Sequence, residues 1–331
     1  MMHNSARSSG AAALLALLFA GAPFCDALAQ SRATTIKYAL GDVVSVDELP
    51  LLVAVERAKA RGVTVEVTAF KSEEVATQAV INGQADIGQG TPYAAIQKVN
   101  VPIRFFYQMS ALQFFPIVNV EHYKSWKDLD GQDIVVHTRG SGTEAIMRLM
   151  AKEHRITYKS VSFVPGSNVR ALGLLKGTIK ASILDATNKN YVMKEAPGKF
   201  AILPVGQVKA SDEALFATQA FLDKNQAAVA IFVEELIKIN RETNKDPKSI
   251  LEQRAKLRLL RDLPAKLEAE ILPFFEEAAK SGVFPNDGGG ESAAKNDLEF
   301  FQLSGALKGE NLKVGDFWNF ASLKAALAKV K

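Results

Sequence analysis

The sequence predicts an α/β protein of two lobes, each a doubly wound open sheet, and three observations lead there. Short β-prone runs alternate with stretches of helical periodicity from Thr34 to Val205. The order β-α-β-α-β-α-β runs through once and then starts again after an extended apolar segment, Phe114–Val120. A second extended segment, Ala214–Phe221, follows the second series, so two crossings join two similar halves.

The elements follow in order. Thr34–Leu40 is β-prone and stops at Gly41-Asp42. Leu49–Lys59 sets Leu49, Leu52, Val53 and Val55 at helical spacing with Glu56 and Arg57 outward. Val63–Phe70 alternates valines with Thr64, Glu66 and Thr68, as a half-exposed strand does. Ser72 caps a helix over Glu73–Ile81 that Asn82-Gly83 ends. Ala85–Gln89 reads as a strand, Gly90–Tyr93 as the turn into a helix over Ala94–Lys98, and Val101–Gln108 as the last strand of the first series.

In the second half, strands are expected at Asp133–Val136, Ser160–Val164, Ile179–Leu184 and Phe200–Val205. Helices are expected at Glu144–His154, Val169–Lys176 and Asn188–Glu195. A strongly periodic helix covers Gln226–Asn240, and the remaining chain is mostly helical, broken at Pro247, Pro264, Pro273 and Pro285. The expected division is therefore lobe one at 30–117 plus 218–331 and lobe two at 118–217.

The first 29 residues read as a secretory signal peptide. Arg7 supplies the positive end, Ala11–Ala20 is apolar, and Ala27-Leu28-Ala29 gives small residues for cleavage after Ala29. The apolar run is too short to span a bilayer. A lipid anchor on Cys25 is disfavoured by the bulky Phe24 before it. Cys25 is the only cysteine, so the processed chain has no disulfide and no thiolate chemistry. About 300 residues then remain, enough for two cores. Net charge is +4 with both signs mixed along the chain rather than clustered, which gives no support for nucleic-acid binding, and no nucleic-acid partner is expected. Of four histidines, His3 leaves with the signal, and His122, His137 and His154 lack metal-ligand spacing. No metal and no cofactor are expected.

One loop carries the most chemistry. Strand Asp133–Val136 runs into His137-Thr138-Arg139-Gly140-Ser141-Gly142-Thr143 and then a helix. Gly140 and Gly142 let amides crowd at the helix start, Ser141 and Thr143 add hydroxyls, and Arg139 adds charge: features of an anion site. The plain alternative is a capped strand-to-helix loop, with Ser141 or Thr143 as cap and Glu144 as a first-turn acid.

Three passages resemble a known family: Val75–Gly88 (VATQAVINGQADIG), Ser125–Val136 (SWKDLDGQDIVV) and Ala171–Ala181 (ALGLLKGTIKA). In this order they are similar to the periplasmic solute-binding proteins of ABC importers, in the nitrate/sulfonate/taurine and thiamine-precursor-like branch. The resemblance covers Thr34 to about Phe320. It implies the bilobal periplasmic binding protein type II fold, two doubly wound sheets with two hinge crossings. Lys180 stands where the family usually has an acid, and the cysteine-rich motif of the thiamine-precursor synthases is absent.

The resemblance implies a Gram-negative periplasmic receptor that captures a small organic solute between its lobes and delivers it to ABC permease subunits; Arg139 and the helix-start amides favour an organic anion as that solute. A monomer and no catalysis are expected. Ligands of open sheets sit outside the carboxyl ends of the strands. The candidates there are Asp42 and Val43 after the first strand, Thr91 and Tyr93 after the third, and Gln108 after the fourth. In lobe two they are His137, Arg139, Gly140, Ser141, Gly142, Thr143, Asp185 and Asn188. His137 is equally readable as a buried histidine tied to backbone, and Asp185 as a helix cap. Two other functions stay open: a receptor serving a sensor or another transporter, and an enzyme using Ser141 with His137.

Overall fold

The computed structural model describes residues 34–206 and 208–330; the expected signal peptide lies outside them. Lobe one opens with β1 (Thr34–Leu40), α1 (Leu49–Lys59), β2 (Val63–Ala69), α2 (Glu73–Ile81), β3 (Ile87–Gly90), the short α3 (Tyr93–Ile96) and β4 (Ile103–Ala111). Lobe two contains β5 (Phe115–Asn119), β6 (Asp133–Val136), α4 (Gly142–His154), β7 (Ser160–Phe163), α5 (Ser167–Leu175), β8 (Ala181–Leu184), α6 (Ala186–Glu195) and β9 (Phe200–Ile202). The chain then returns through β10 (Ser211–Thr218) to α7 (Gln219–Lys245), α8 (Ser249–Leu257), α9 (Ala265–Ser281), α10 (Gly290–Leu303), α11 (Val314–Phe317) and α12 (Ala321–Leu327).

Two five-stranded sheets result, with orders β2-β1-β3-β10-β4 and β7-β6-β8-β5-β9. Neither is purely parallel. The strand that arrives from the other lobe inserts antiparallel in each: β10 between β3 and β4, and β5 between β8 and β9. An exchanged strand enters from the opposite end of the molecule, and that reverses its direction. Each sheet is therefore completed by a strand from beyond a crossing.

The changes of sheet also fall elsewhere than expected. β5 belongs wholly to the second sheet and β10 wholly to the first, so the chain crosses at 112–114 and at 203–210 rather than near 117 and 217. The crossings run side by side: the Leu112 amide donates to Ala210 O at 2.8 Å, and the Leu203 amide to Pro116 O at 2.9 Å. Ala214–Phe221 is extended only to Thr218, whose hydroxyl caps α7 by accepting from the Phe221 amide. A kink at Asn225 then precedes the periodic stretch.

Apolar periodicity places the core as expected. Lobe one buries Ile36, Tyr38 and Leu40 of β1 against α1 and the long α7 (Val229, Phe232, Val233, Leu236). On the other face of the sheet, Phe105 and Phe216 join a cluster that continues through Leu203 and Ala210 of the crossing to Trp126, Ile134 and Met147 of lobe two. A smaller cluster under α5 and α6 holds Ile117, Leu174, Leu184 and Val192. Among the described residues, no helix is long and apolar enough to cross a membrane.

Gly88 shows how tightly β3 and β10 fit. It pairs with Phe216, and a Cβ there would lie 2.3 Å from the Phe216 ring. Gly88→Ala should cost about 1–3 kcal/mol by overpacking. The check is urea unfolding, in which the variant's midpoint falls; an unchanged midpoint would show that the ring moves aside freely.

Candidate functional site

The carboxyl ends of the two sheets face each other, and the strand-end loops meet there. His137, after β6, reaches across to lobe one at this place. Its Nε2 lies 3.6 Å from Glu73 Oε1 at the start of α2 and 3.9 Å from Asp42 Oδ2 after β1. Behind it, Nδ1 is 3.3 Å from the Gly166 amide and 3.3 Å from Arg170 Nη1. An amide and a guanidinium can only donate, so Nδ1 is the acceptor and the ring proton sits on Nε2, facing the carboxylates. Burial, with the Arg170 charge added, pushes the His137 pKa down to about 3. His137 is thus a neutral donor aimed at lobe one.

Arg170, on α5, is the anchor of this arrangement. Only 1% of it is exposed, and it donates to Ile183 O (3.2 Å), Val164 O (2.9 Å) and His137. Burial lowers its pKa to about 10, against the pull of Asp185 and Asp42. A guanidinium keeps its charge at such a value and can satisfy several carbonyls at once, which suits it to a buried position.

Lobe one contributes acids from separate loops. Glu73 fits between β1 and β3 because Gly41 and Gly90 leave room: a Cβ on Gly41 would lie 2.6 Å from Glu73 Cα, and one on Gly90 would lie 3.1 Å from Glu73 Oε2. Burial raises the Glu73 pKa to about 7, with the Thr91 amide as a partial counterweight and Asp42 as a further repulsion. Glu48 is buried, accepts from Gln89 Nε2 at 2.9 Å, and is pushed up to about 8 by burial and by Asp47. Gln89 also accepts from the Tyr38 hydroxyl, so a side-chain chain runs through the floor of lobe one. Asp212 and Glu213 of β10 are both shifted far upward, first by burial and then by the surrounding carboxylates.

Of the residues expected at the site, Asp42, Thr91 and His137 do meet there. Thr91 is 1% exposed, and its hydroxyl has no hydrogen-bond partner. Asp185 caps α6 by accepting from the Asn188 amide (2.7 Å), and it also takes two contacts from the Asn188 side chain. Its charge still acts on Asp42 and Asp212 of the opposite lobe. Val43 lies in the same turn as Asp42, but 63% exposed.

Other expectations need correction. Tyr93 is a core residue: fully buried, it donates to Asp297 Oδ2 (2.8 Å), accepts from Trp318 Nε1 (2.7 Å) and stacks on Phe301. Its position after β3 points it back into the lobe. Gln108 packs against the Gly288-Gly289 turn, where a Cβ on Gly289 would lie 2.3 Å from its Oε1.

The loop from Arg139 to Thr143 is largely occupied by its own bonds. The Gly140 amide donates to Glu144 Oε2 at 2.6 Å, so the chain's own carboxylate takes the place of an anion at the helix start. Ser141 Oγ donates to Thr138 O and lies 2.8 Å from Thr143 Oγ1, which accepts from the His137 amide. Gly142 packs on Leu112 of the crossing. Arg139 is exposed, its guanidinium 4.7 Å above the Phe163 ring. The loop positions His137 and presents no open anion cradle. The Ser141 and His137 side chains likewise form no nucleophile pair, since their bonds run to other partners.

Glu48, Glu73, Gln89, Arg170, Asp212 and Glu213 were not singled out from sequence. Glu73 begins α2 and Arg170 lies within α5, and no local pattern sets either apart from an ordinary helix residue.

The raised carboxylates give a pH signature. Between pH 6.5 and 8 the folded protein holds protons on Glu73 and Glu48 that the unfolded chain, with glutamates near 4.5, has lost. Stability therefore falls as pH rises through this window. His137 acts oppositely, but only between 6.5 and about 3, where its contribution is lost on acidification. The ligand-free protein should show a Tm that declines from pH 6.5 to 8, with Glu48→Gln flattening the slope. A flat or rising wild-type profile would contradict the burial of these groups.

Comparison with known proteins agrees with this architecture. A family model described as NMT1/THI5 like matches residues 47–249. No curated protein sequence matches. A solved structure from Bordetella bronchiseptica RB50 superposes with a TM-score of 0.72 at 20% identity, covering 89% of this chain and 98% of that one. The alkanesulfonate-binding protein SsuA from Xanthomonas axonopodis pv. citri, bound to MOPS, gives 0.61 at 12% identity over 86% and 98%. The periplasmic nitrate-binding protein NrtA from Synechocystis PCC 6803 gives 0.57 at 11% identity over 90% and 99%. At these identities the likeness is one of fold.

Proposed function

The chain belongs to the NMT1/THI5-like family, and from that premise we propose that it is a solute receptor of an ABC importer, working in the periplasm after export. The solute is taken between the lobes, and the closed form is what the permease recognises. The observation that carries this reading is His137 of one lobe, fixed from behind by Arg170 and Gly166, facing Asp42 and Glu73 of the other. Two adjacent crossings allow one lobe to rotate on the other, and a solute touching both lobes favours the closed state by its differential contacts. The signal-peptide reading of residues 1–29 and the fold relatives that bind sulfonate and nitrate support the same role.

No turnover is expected, and the site is read as a grip. A receptor feeding a sensor instead of a permease would use the same geometry, and reconstitution with the partner membrane components separates the two. Small-angle scattering should show the radius of gyration contract on solute addition, with Tm rising by several degrees and the solute recovered unchanged. A chemically altered product would overturn the receptor reading in favour of an enzyme.

A further inference from the structure

We propose that the solute presents a positively charged organic nitrogen group, an alkylammonium or a guanidinium, which seats against the carboxylates of Asp42 and Glu73 where His137 faces them. The inference rests on the receptor reading above and names the chemistry of the same cleft.

Acids reach this place from three separate segments of lobe one: Asp42 after β1, Glu73 on α2, and Glu213 on β10. Independent of their charge, buried polar groups beside them lack partners. The Thr91 hydroxyl is unbonded although the residue is 1% exposed and its amide faces Glu73. Glu213 Oε2 is likewise buried without a partner. His137, 8% exposed, holds Nε2 at 3.6 and 3.9 Å from the two carboxylates, beyond hydrogen-bond reach of either. Buried polar groups in folded proteins are bonded, and each exception calls for an explanation. A nitrogen cation with several N–H donors would satisfy Thr91 and the carboxylates together, and it would supply the charge they lack.

The cations that could greet an anion are already committed. Arg170 is spent on Val164 O, Ile183 O and His137, Arg139 lies exposed on Phe163, and the Gly140 amide is taken by Glu144. Among the described residues, no group of three His, Cys, Asp or Glu side chains is arranged to hold a metal ion.

The test is a binding screen on the processed full-length protein, read by thermal shift and calorimetry. One panel holds primary amines and guanidines; a second holds nitrate and alkanesulfonates; a third holds magnesium, calcium and zinc chlorides. The expected result is stabilisation by members of the first panel alone. Glu73→Gln should weaken that binding tenfold or more while the ligand-free Tm stays level or rises, because a crowded charge has been removed. Glu74→Gln, the same change on the exposed neighbour, should leave affinity within twofold. Binding of nitrate or sulfonates instead, or of a metal ion, overturns the cation assignment and leaves the receptor reading standing. Unchanged cation affinity in both Glu73→Gln and Asp42→Asn also overturns it. Binding of nothing at about 10 mM, roughly ten-thousandfold above a micromolar affinity, overturns both.

Discussion

The arrangement between the lobes depends on one constraint: carboxylates brought out of water must find protons, cations or donors. Lobe one collects acids at the carboxyl ends of its strands, and lobe two answers with a neutral histidine in place of a second charge. His137 stays neutral because it is buried, with the Arg170 charge adding to that, and the donors on Nδ1 leave the imidazole proton on the side facing Glu73 and Asp42. Arg170 is in turn held by two backbone carbonyls. His137 faces the acids of lobe one without reaching hydrogen-bond distance of them, and the charge balance at this place is left incomplete.

The glycine-rich loop before α4 gains a different meaning in this setting. Its helix start would attract an anion, but Glu144 folds back to the Gly140 amide and pairs outward with Arg148 at 2.7 Å. An anion site is thus filled from within the chain. What the loop offers is rigidity: Thr143 binds the His137 amide, Ser141 ties Thr138 and Thr143 together, and Gly142 lets the turn settle on Leu112 of the crossing. The orientation of His137 is therefore coupled to the segment about which the lobes would rotate.

The exchanged strands serve the same end. β5 and β10 each lie inside the sheet of the lobe they enter, so neither lobe's sheet is complete without a crossing. Asp212 and Glu213 ride on β10 just after it leaves the crossing, which brings two acids to the floor of lobe one from a distant part of the chain. A change in the crossing would displace those acids together with the lobe.

Most of the element order, from β1 to α7, was legible in the sequence, because apolar period and glycine or proline punctuation are local properties of the chain. Thr34–Leu40, Glu73–Ile81 and Asp133–Val136 were placed at their observed bounds for that reason. The sequence by itself also led to the strand-end loops, and it pointed to Asp42, Thr91 and His137, which the fold brings together. Only the tertiary structure decided the antiparallel insertion of β5 and β10, the burial of Tyr93 among aromatics, and the gathering of Glu48, Glu73, Asp212 and Glu213 around one point. Those outcomes arise between segments far apart in the chain. A carboxylate's charge can be read from its letter, but its neighbours, and so its protonation and its partner, come only from the fold.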